Sequence, residues 1–349
     1  MKLGNIHFDE MTDRNRVVYK GLWNQYFADM GVEPASKGRS TTYRIAGDIE
    51  NASEIIKNCF HIENIDLFDE KYRMAISGNG EEENKILTLH SSSRCALLTF
   101  YNIDKEHTLT LTLNGKEIVF DYSAFEFKNP VIRFPSNIDV VLMSADRKTV
   151  LFLEAKFSEY YIGAGTKSSP ISRSYLRHKY SKAFYDIEWL NRIGIDIAQR
   201  DKASKDFELV TLDGAQNYFD GFKQLISHYV GIRQRLDGKK MAAEKGNENI
   251  AAANKILSVV EDPEAEIYLG EILYDRFVLP LESKNVLDPK DAYTHYSRIY
   301  RELAKKMNEV NSMDGLEKKF IVLSDILRYS DVFSCGTSIN AYIRDFYRM

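Results

Sequence analysis

The stretch from Asn137 to Tyr160, which reads NIDVVLMSADRKTVLFLEAKFSEY, decides the fold of this chain. It contains two apolar runs rich in β-branched residues, Ile138 to Met143 and Thr149 to Phe157. A short polar segment around Asp146 and Arg147 separates them. Two apolar runs joined by a polar turn are typical of a β-hairpin. We therefore expect an antiparallel strand pair here.

Charged residues meet at the open end of this hairpin. A turn centred on the polar segment places Asp139 opposite Glu154, and strand alternation puts Glu154 and Lys156 on one face. Two neighbouring buried carboxylates raise each other's pKa unless a cation compensates them. Asp139, Glu154 and the carbonyl of Ala155 offer the hard oxygens that Mg²⁺ prefers, with Lys156 beside the attacking water or the phosphate. A surface hairpin with a simple ion pair fits the same spacing.

These residues resemble the motif of the PD-(D/E)XK, or restriction-endonuclease-like, nuclease superfamily. Its pattern is an Asp near the start of one strand and (D/E)-x-K at the end of the next, which Asp139 and Glu154-Ala155-Lys156 match. Isoleucine precedes Asp139 where the pattern has proline. The resemblance implies an α/β (α+β) fold, in which helices flank a central mixed sheet. It does not cover residues 1–77, where the residue pattern itself predicts a helical extension. It also implies a Mg²⁺- or Mn²⁺-dependent nuclease that hydrolyses DNA in restriction, defence or repair.

Two further acidic positions are similar to a bacterial subgroup of this superfamily. The subgroup has a Gly-rich turn, a Glu, a Lys four residues later and a His-Ser-Ser, which correspond here to Glu81, Lys85 and residues 90–92. Glu81, or Glu82 beside it, would add a carboxylate to the site. Glu126 matches a Phe-Glu pair before the Asp strand and is a candidate metal ligand. The alternative for Glu81 and Glu82 is a surface position at a helix start, where acids only interact favourably with the helix dipole. The alternative for Glu126 is an exposed Glu at a strand end.

A strong helical pattern covers residues 218–234. Gln224 and His228 lie one turn apart and share one edge of this helix. The subgroup has Gln and His at this spacing. It implies that Gln224 holds a metal-bound water or a phosphate and that His228 contacts nucleic acid. A polar helix edge with a hydrogen-bonded histidine remains open as the alternative.

One window is basic although the whole chain carries a net charge of −4. No acidic residue lies between Glu159 and Asp186, and basic side chains there alternate with tyrosines. Such a mixture suits a phosphate backbone or an unpaired strand, while a solvated basic helix face is the alternative. The candidate nucleic-acid contacts are Lys167, Arg173, Arg177, Lys179 and Lys182.

Composition limits the remaining possibilities. Three widely spaced cysteines without a CxxC pair argue against a disulfide framework and against a zinc site. No apolar run reaches the roughly 20 residues of a membrane span, and no leader is apparent, so we expect a cytoplasmic protein, with an oligomer possible. A nucleic-acid-binding module of the same fold without turnover is the alternative function. The expected organisation is a helical extension (1–77), the nuclease core (78–236), an exposed helical linker (237–264) and closing strands and helices (265–349).

Local patterns predict the individual elements. Helices are expected to begin at Thr12 or Asp13 and to cover residues 51–60 and 289–307. Asn114-Gly115 predicts a type I′ turn between two strands, and a final strand is expected over 319–327.

Overall fold

The structure is a computed structural model in which the following residues are described: 32–34, 43–77, 85–88, 91–131, 137–157, 187–199, 207–211, 220–243, 247–276, 289–335 and 339–347. The helices in these ranges are α1 (Ala52–Phe60), α2 (Ile65–Ile76), α3 (Ser92–Phe100), α4 (Ile187–Arg192), α5 (Asp220–Leu236), α6 (Ile250–Glu261), α7 (Pro289–Met313), α8 (Tyr329–Ser334) and α9 (Ala341–Tyr347). The strands are β1 (Val32–Pro34), β2 (Tyr43–Ile45), β3 (Leu109–Leu113), β4 (Lys116–Lys128), β5 (Asn137–Ser144), β6 (Thr149–Lys156), β7 (Ile195–Gln199), β8 (Phe207–Thr211), β9 (Glu266–Leu273), β10 (Phe320–Val322) and β11 (Leu327–Arg328).

One mixed sheet of seven strands organises the described part of the chain. Its order is β10, β9, β6, β5, β4, β3, and β11 also pairs with β9. The strands β3 to β6 are antiparallel, whereas β9 runs parallel to β6 and to its other partners. A parallel neighbour requires a long crossover, and α4 to α6 lie within the connection from β6 to β9. The predicted mixed sheet flanked by helices is confirmed.

The central hairpin has the register that the sequence predicts. Met143 pairs with Val150, and Val140 pairs with Leu153. Asp139 and Glu154 occupy the next position along the same register. Every residue of β6 is buried, which explains why apolar residues occur on both faces of the strand. The alternative of a surface hairpin is therefore wrong.

The outer hairpin of β3 and β4 curls the sheet. Its turn residues Asn114 and Gly115 have φ of 48° and 84°, as a type I′ turn requires, and this turn was predicted. The backbone N–H of Ser324, which follows β10 at the other edge, donates to Asn114 Oδ1 at 3.3 Å. Lys116 also forms an ion pair of 2.7 Å with Glu266 at the start of β9. The hairpin tip thus reaches across the turn end of the sheet.

Several predicted elements occur, with two differences. The helices expected near 51–60, 218–234 and 289–307 are α1, α5 and α7. The single strand expected at 319–327 is instead two short strands, β10 and β11.

Helix α6, expected to be exposed, packs on the sheet because Ala253, Ile256 and Val260 form an apolar stripe that is at most 3% exposed. The helix expected to begin at Thr12 or Asp13 lies outside the described residues. None of the described helices is long and apolar enough to cross a membrane.

Helices α5 and α7 pack against each other, with α5 on strands β6 and β9 and α7 on strand β10. The rings of Phe222 and Tyr296 stack with centroids 4.4 Å apart. Asn311 on α7 is fully buried, and its Oδ1 accepts from Tyr229 Oη at 2.7 Å and from Arg233 Nη1 at 3.0 Å. Its Nδ2 donates to the Phe320 carbonyl at 2.7 Å. One amide therefore joins α5, α7 and β10.

Replacing this amide tests how firmly the two helices are joined. Asn311→Ala leaves buried polar groups without their partner, so the free energy of unfolding should fall by about 1–3 kcal/mol. Urea unfolding followed by circular dichroism measures the change. Asn254→Ala, at an exposed position of α6, is the control and should shift the unfolding free energy by no more than about 0.5 kcal/mol. Equal values for both variants would show that the Asn311 contacts contribute nothing.

Candidate active site

Glu154, near the end of β6, is the centre of the site and is 1% exposed. Lys156 donates from Nζ to Glu154 Oε1 at 2.5 Å, and His228 Nε2 donates to Glu154 Oε2 at 2.7 Å. Burial alone would raise the pKa of Glu154. The Lys156 ammonium and the His228 imidazole instead hold the pKa of this carboxyl below its usual range. Glu154 is therefore ionised at neutral pH.

Helix α5 supplies two polar side chains to the site, one bonded to Lys156 and one to Glu154. Gln224 Oε1 accepts a hydrogen bond from Lys156 Nζ at 2.5 Å, and His228 follows one turn later. Both side chains face the hairpin because Phe222, Leu225 and Tyr229 seat the apolar stripe of α5 in the core. His228 is only 1% exposed, which differs from the expected contact with nucleic acid. Its imidazole faces inward because the buried carboxylate takes the hydrogen bond.

Asp139 joins the same piece of hairpin from β5. Its half-buried carboxylate accepts from the Ala155 backbone N–H through Oδ2 at 2.7 Å. The regular pairing of β5 with β6 ends at Val140 and Leu153. Just beyond this pair, the Asp139 side chain accepts the hydrogen bond from the β6 backbone. Asp139 is thereby fixed beside the Glu154-Ala155-Lys156 segment. The acid from β5 and the acid and amine from β6 occupy one end of the sheet.

Glu126 lies on β4, the strand that pairs with β5 on the side away from β6. Its neighbours Phe125 and Phe127 pair with Val140 and Ile138, which places Glu126 level with Asp139. Glu126 has φ of 49°, a left-handed conformation that is uncommon for a non-glycine residue and is costly within a strand. It is 7% exposed and lines a small cleft with residues of the α6 N-terminus. The alternative of an exposed strand-end Glu is wrong.

The donor set suits a hard divalent cation. Mg²⁺ is usually held by one or two carboxylates and keeps several waters, so Asp139 and Glu154 are enough protein carboxylates. Among the described residues, no three His, Cys, Asp or Glu side chains form a metal-binding group. Any further protein oxygen would come from a backbone carbonyl such as that of Ala155. Glu81 and Glu82 lie outside the described residues, as do all five basic candidates from Lys167 to Lys182.

A second buried acid, Glu271 on β9, was missed by the sequence analysis. It is the Cα partner of Glu154 in the parallel pair of β6 and β9, and it is fully buried. Tyr296 Oη donates to Glu271 Oε2 at 2.8 Å, while Oε1 has no hydrogen-bond partner in the described part of the chain. The signal was available in the sequence, because an acid inside the apolar run of β9 is rarely buried without a reason.

The surroundings of Glu154 and Glu271 give these two neighbouring acids different protonation states. Burial raises the pKa of Glu271 to about 8 and the Glu154 charge adds to this rise, although Lys156 and the Tyr296 hydrogen bond oppose it. Glu271 is thus protonated at neutral pH, whereas Glu154 is ionised. One negative charge, rather than two, lies next to the Lys156 ammonium.

The protonated state of Glu271 has a consequence for stability. Its pKa rises from an ordinary value of 4.5 to about 8 on folding, so between these values the folded protein holds a proton that the unfolded chain releases. Stability must then fall as pH rises through this window, by at most about 1.4 kcal/mol per pH unit. Glu271→Gln should flatten this decline in the metal-free protein, as thermal unfolding at several pH values can measure. Glu264→Gln, at an exposed site, is the control, and identical slopes for both variants would contradict a protonated Glu271.

Comparison with known proteins identifies the family. The model of the REase-ARP family, described as Restriction Endonuclease associating with ARP, matches residues 33–306. No curated protein and no solved structure matches the chain. The match includes the hairpin of β5 and β6, helix α5 and strand β9, and so every side chain described above in the site. The chain belongs to this family of restriction endonucleases, and that membership implies a nuclease acting on DNA.

Proposed function

We propose that the chain is a Mg²⁺-dependent nuclease of the PD-(D/E)XK type that hydrolyses phosphodiester bonds in DNA. The observation that carries this proposal is the buried, ionised Glu154, which is bonded to Lys156 and lies beside Asp139 on the same hairpin. Family membership supports DNA as the substrate. The family name records an association with ARP, and we propose that this chain has such a partner.

Asp139, Glu154 and the Ala155 carbonyl are the groups that would hold the metal. When bound, Mg²⁺ would polarise the scissile phosphate and lower the pKa of the attacking water. Lys156 would stabilise the negative charge that develops on the phosphate oxygens. Glu81 is a further candidate carboxylate, and Glu126 is one because it lies level with Asp139 in a strained conformation.

Two residues of α5 have supporting roles in this proposal. Gln224 accepts from the Lys156 ammonium and would keep it directed at the phosphate, or would itself contact a water or phosphate. His228 bonds to Glu154 Oε2 and would set the orientation of that carboxylate, in place of the nucleic-acid contact expected from the sequence. Neither role requires the helix to move.

Asp139→Asn is the sharpest test of catalysis. The amide oxygen can still accept from the Ala155 N–H, so the fold should persist, but the negative charge is lost. DNA cleavage in Mg²⁺ or Mn²⁺ should fall by about 10²-fold or more, as for other groups that stabilise a transition state. Lys148→Ala in the same hairpin is the control, since this lysine is half-exposed and pairs with Asp262. Equal cleavage by Asp139→Asn and wild type would remove Asp139 from the catalytic site.

Metal binding can be measured independently of cleavage. Titration calorimetry with Mn²⁺ should detect binding to the wild-type protein and weaker binding to Asp139→Asn, because one carboxylate ligand becomes a neutral amide. Lys148→Ala should bind like the wild type. If the wild-type protein binds DNA but no divalent ion, a nucleic-acid-binding module without turnover becomes the better description.

A further inference from the structure

Two lysines from different helices lie over the ring of Tyr122 on β4, and two more basic side chains lie near one of them. Lys255 on α6 places its Nζ 3.6 Å from the centre of the Tyr122 ring, and Lys71 on α2 places its Nζ 4.6 Å from it. Arg147 in the turn between β5 and β6 and exposed Lys105 before β3 lie close enough to act on the Lys255 charge. We name these five residues the Tyr122 patch.

The positive charge of the Tyr122 patch is incompletely compensated. Asp121 forms a bidentate ion pair with Arg147. Glu70 Oε1 lies 3.4 Å from the Nζ of buried Lys71, which also donates to the Ser123 carbonyl at 2.7 Å. Lys255, in contrast, has no acidic hydrogen-bond partner in the described part of the chain. Burial lowers the pKa of Lys255, and repulsion from its basic neighbours lowers it further. Like charges held together in this way favour a bound anion.

The Tyr122 patch lies on the strand that leads to the candidate site. Tyr122 precedes Glu126 by four residues on β4, and Glu126 is level with Asp139. Strand geometry makes this separation about 13 Å, which corresponds to roughly four base-pair steps of B-form DNA. One short duplex could therefore contact both places.

We propose that the Tyr122 patch binds backbone phosphates of the DNA whose scissile phosphate lies at Asp139 and Glu154. This inference rests on the proposed function and adds a surface that the sequence does not indicate. Lys255 and Lys105 contact phosphates as point charges. Arg147 keeps its pair with Asp121 and adds to the local potential, and buried Lys71 holds Tyr122 in place. Contacts of this kind do not depend on base sequence.

The salt dependence of DNA binding tests the inference. Fluorescence anisotropy with a labelled duplex in EDTA, over a series of salt concentrations, measures binding without cleavage. Each lost phosphate contact should reduce the slope of log K against log salt by about 0.9. We expect this change for Lys255→Gln and for Lys105→Gln, by the same amount with duplexes of unrelated sequence. Lys305→Gln is the matched control, because this lysine is 77% exposed on α7, which packs against the opposite sheet edge.

Two results would overturn the inference, and they have different meanings. If wild-type protein binds the duplex and both variants keep its slope, the patch does not contact DNA, although the proposed nuclease function stands. If wild-type protein binds DNA neither in EDTA nor with Ca²⁺ in place of Mg²⁺, the proposed function fails together with the patch. Lys105→Gln removes an exposed side chain without touching Tyr122, so its result stays interpretable even if Lys255→Gln disturbs the local packing.

Discussion

Burying an ionised carboxylate inside an apolar sheet is expensive unless charged and hydrogen-bonding groups compensate it. Glu154 meets this condition through Lys156 on its own strand and His228 on α5. The second bond requires α5 to lie over β6 in one rotational setting. That setting depends in turn on α7, through the Phe222–Tyr296 stack and the buried Asn311 amide. The packing of two helices thus serves to compensate one charge.

Glu154 and Glu271 show how position decides the chemistry of identical side chains. They are paired residues on neighbouring parallel strands, and both are fully or almost fully buried. The first has a cation and an imidazole within hydrogen-bonding distance, whereas the second has one tyrosine hydroxyl. The pKa is accordingly lowered for Glu154 and raised to about 8 for Glu271. Pairs of acids whose pKa values are shifted in opposite directions are a recurring feature of catalytic sites.

Strand β4 of the curled sheet connects the candidate site with the Tyr122 patch. Strand β4 passes from the Tyr122 patch to Glu126, next to Asp139, so a substrate aligned along this strand would meet basic groups before acidic ones. The negative net charge of the chain makes local clusters of this kind necessary for binding a polyanion. A basic surface away from the proposed metal ligands would position DNA without competing for Lys156.

The sequence by itself determined the central hairpin, its register and the I′ turn between β3 and β4. It also determined the helix edge shared by Gln224 and His228. Alternation, turn geometry and helical spacing act between residues close together in the chain, so these patterns are readable from it.

Only the tertiary structure decided that β6 lies at the centre of the sheet and that His228 is buried against Glu154. It also decided that Glu271 is the strand partner of Glu154. Those facts depend on a parallel crossover and on helix packing. They join residues far apart in the sequence, and no local periodicity encodes which distant side chains will meet.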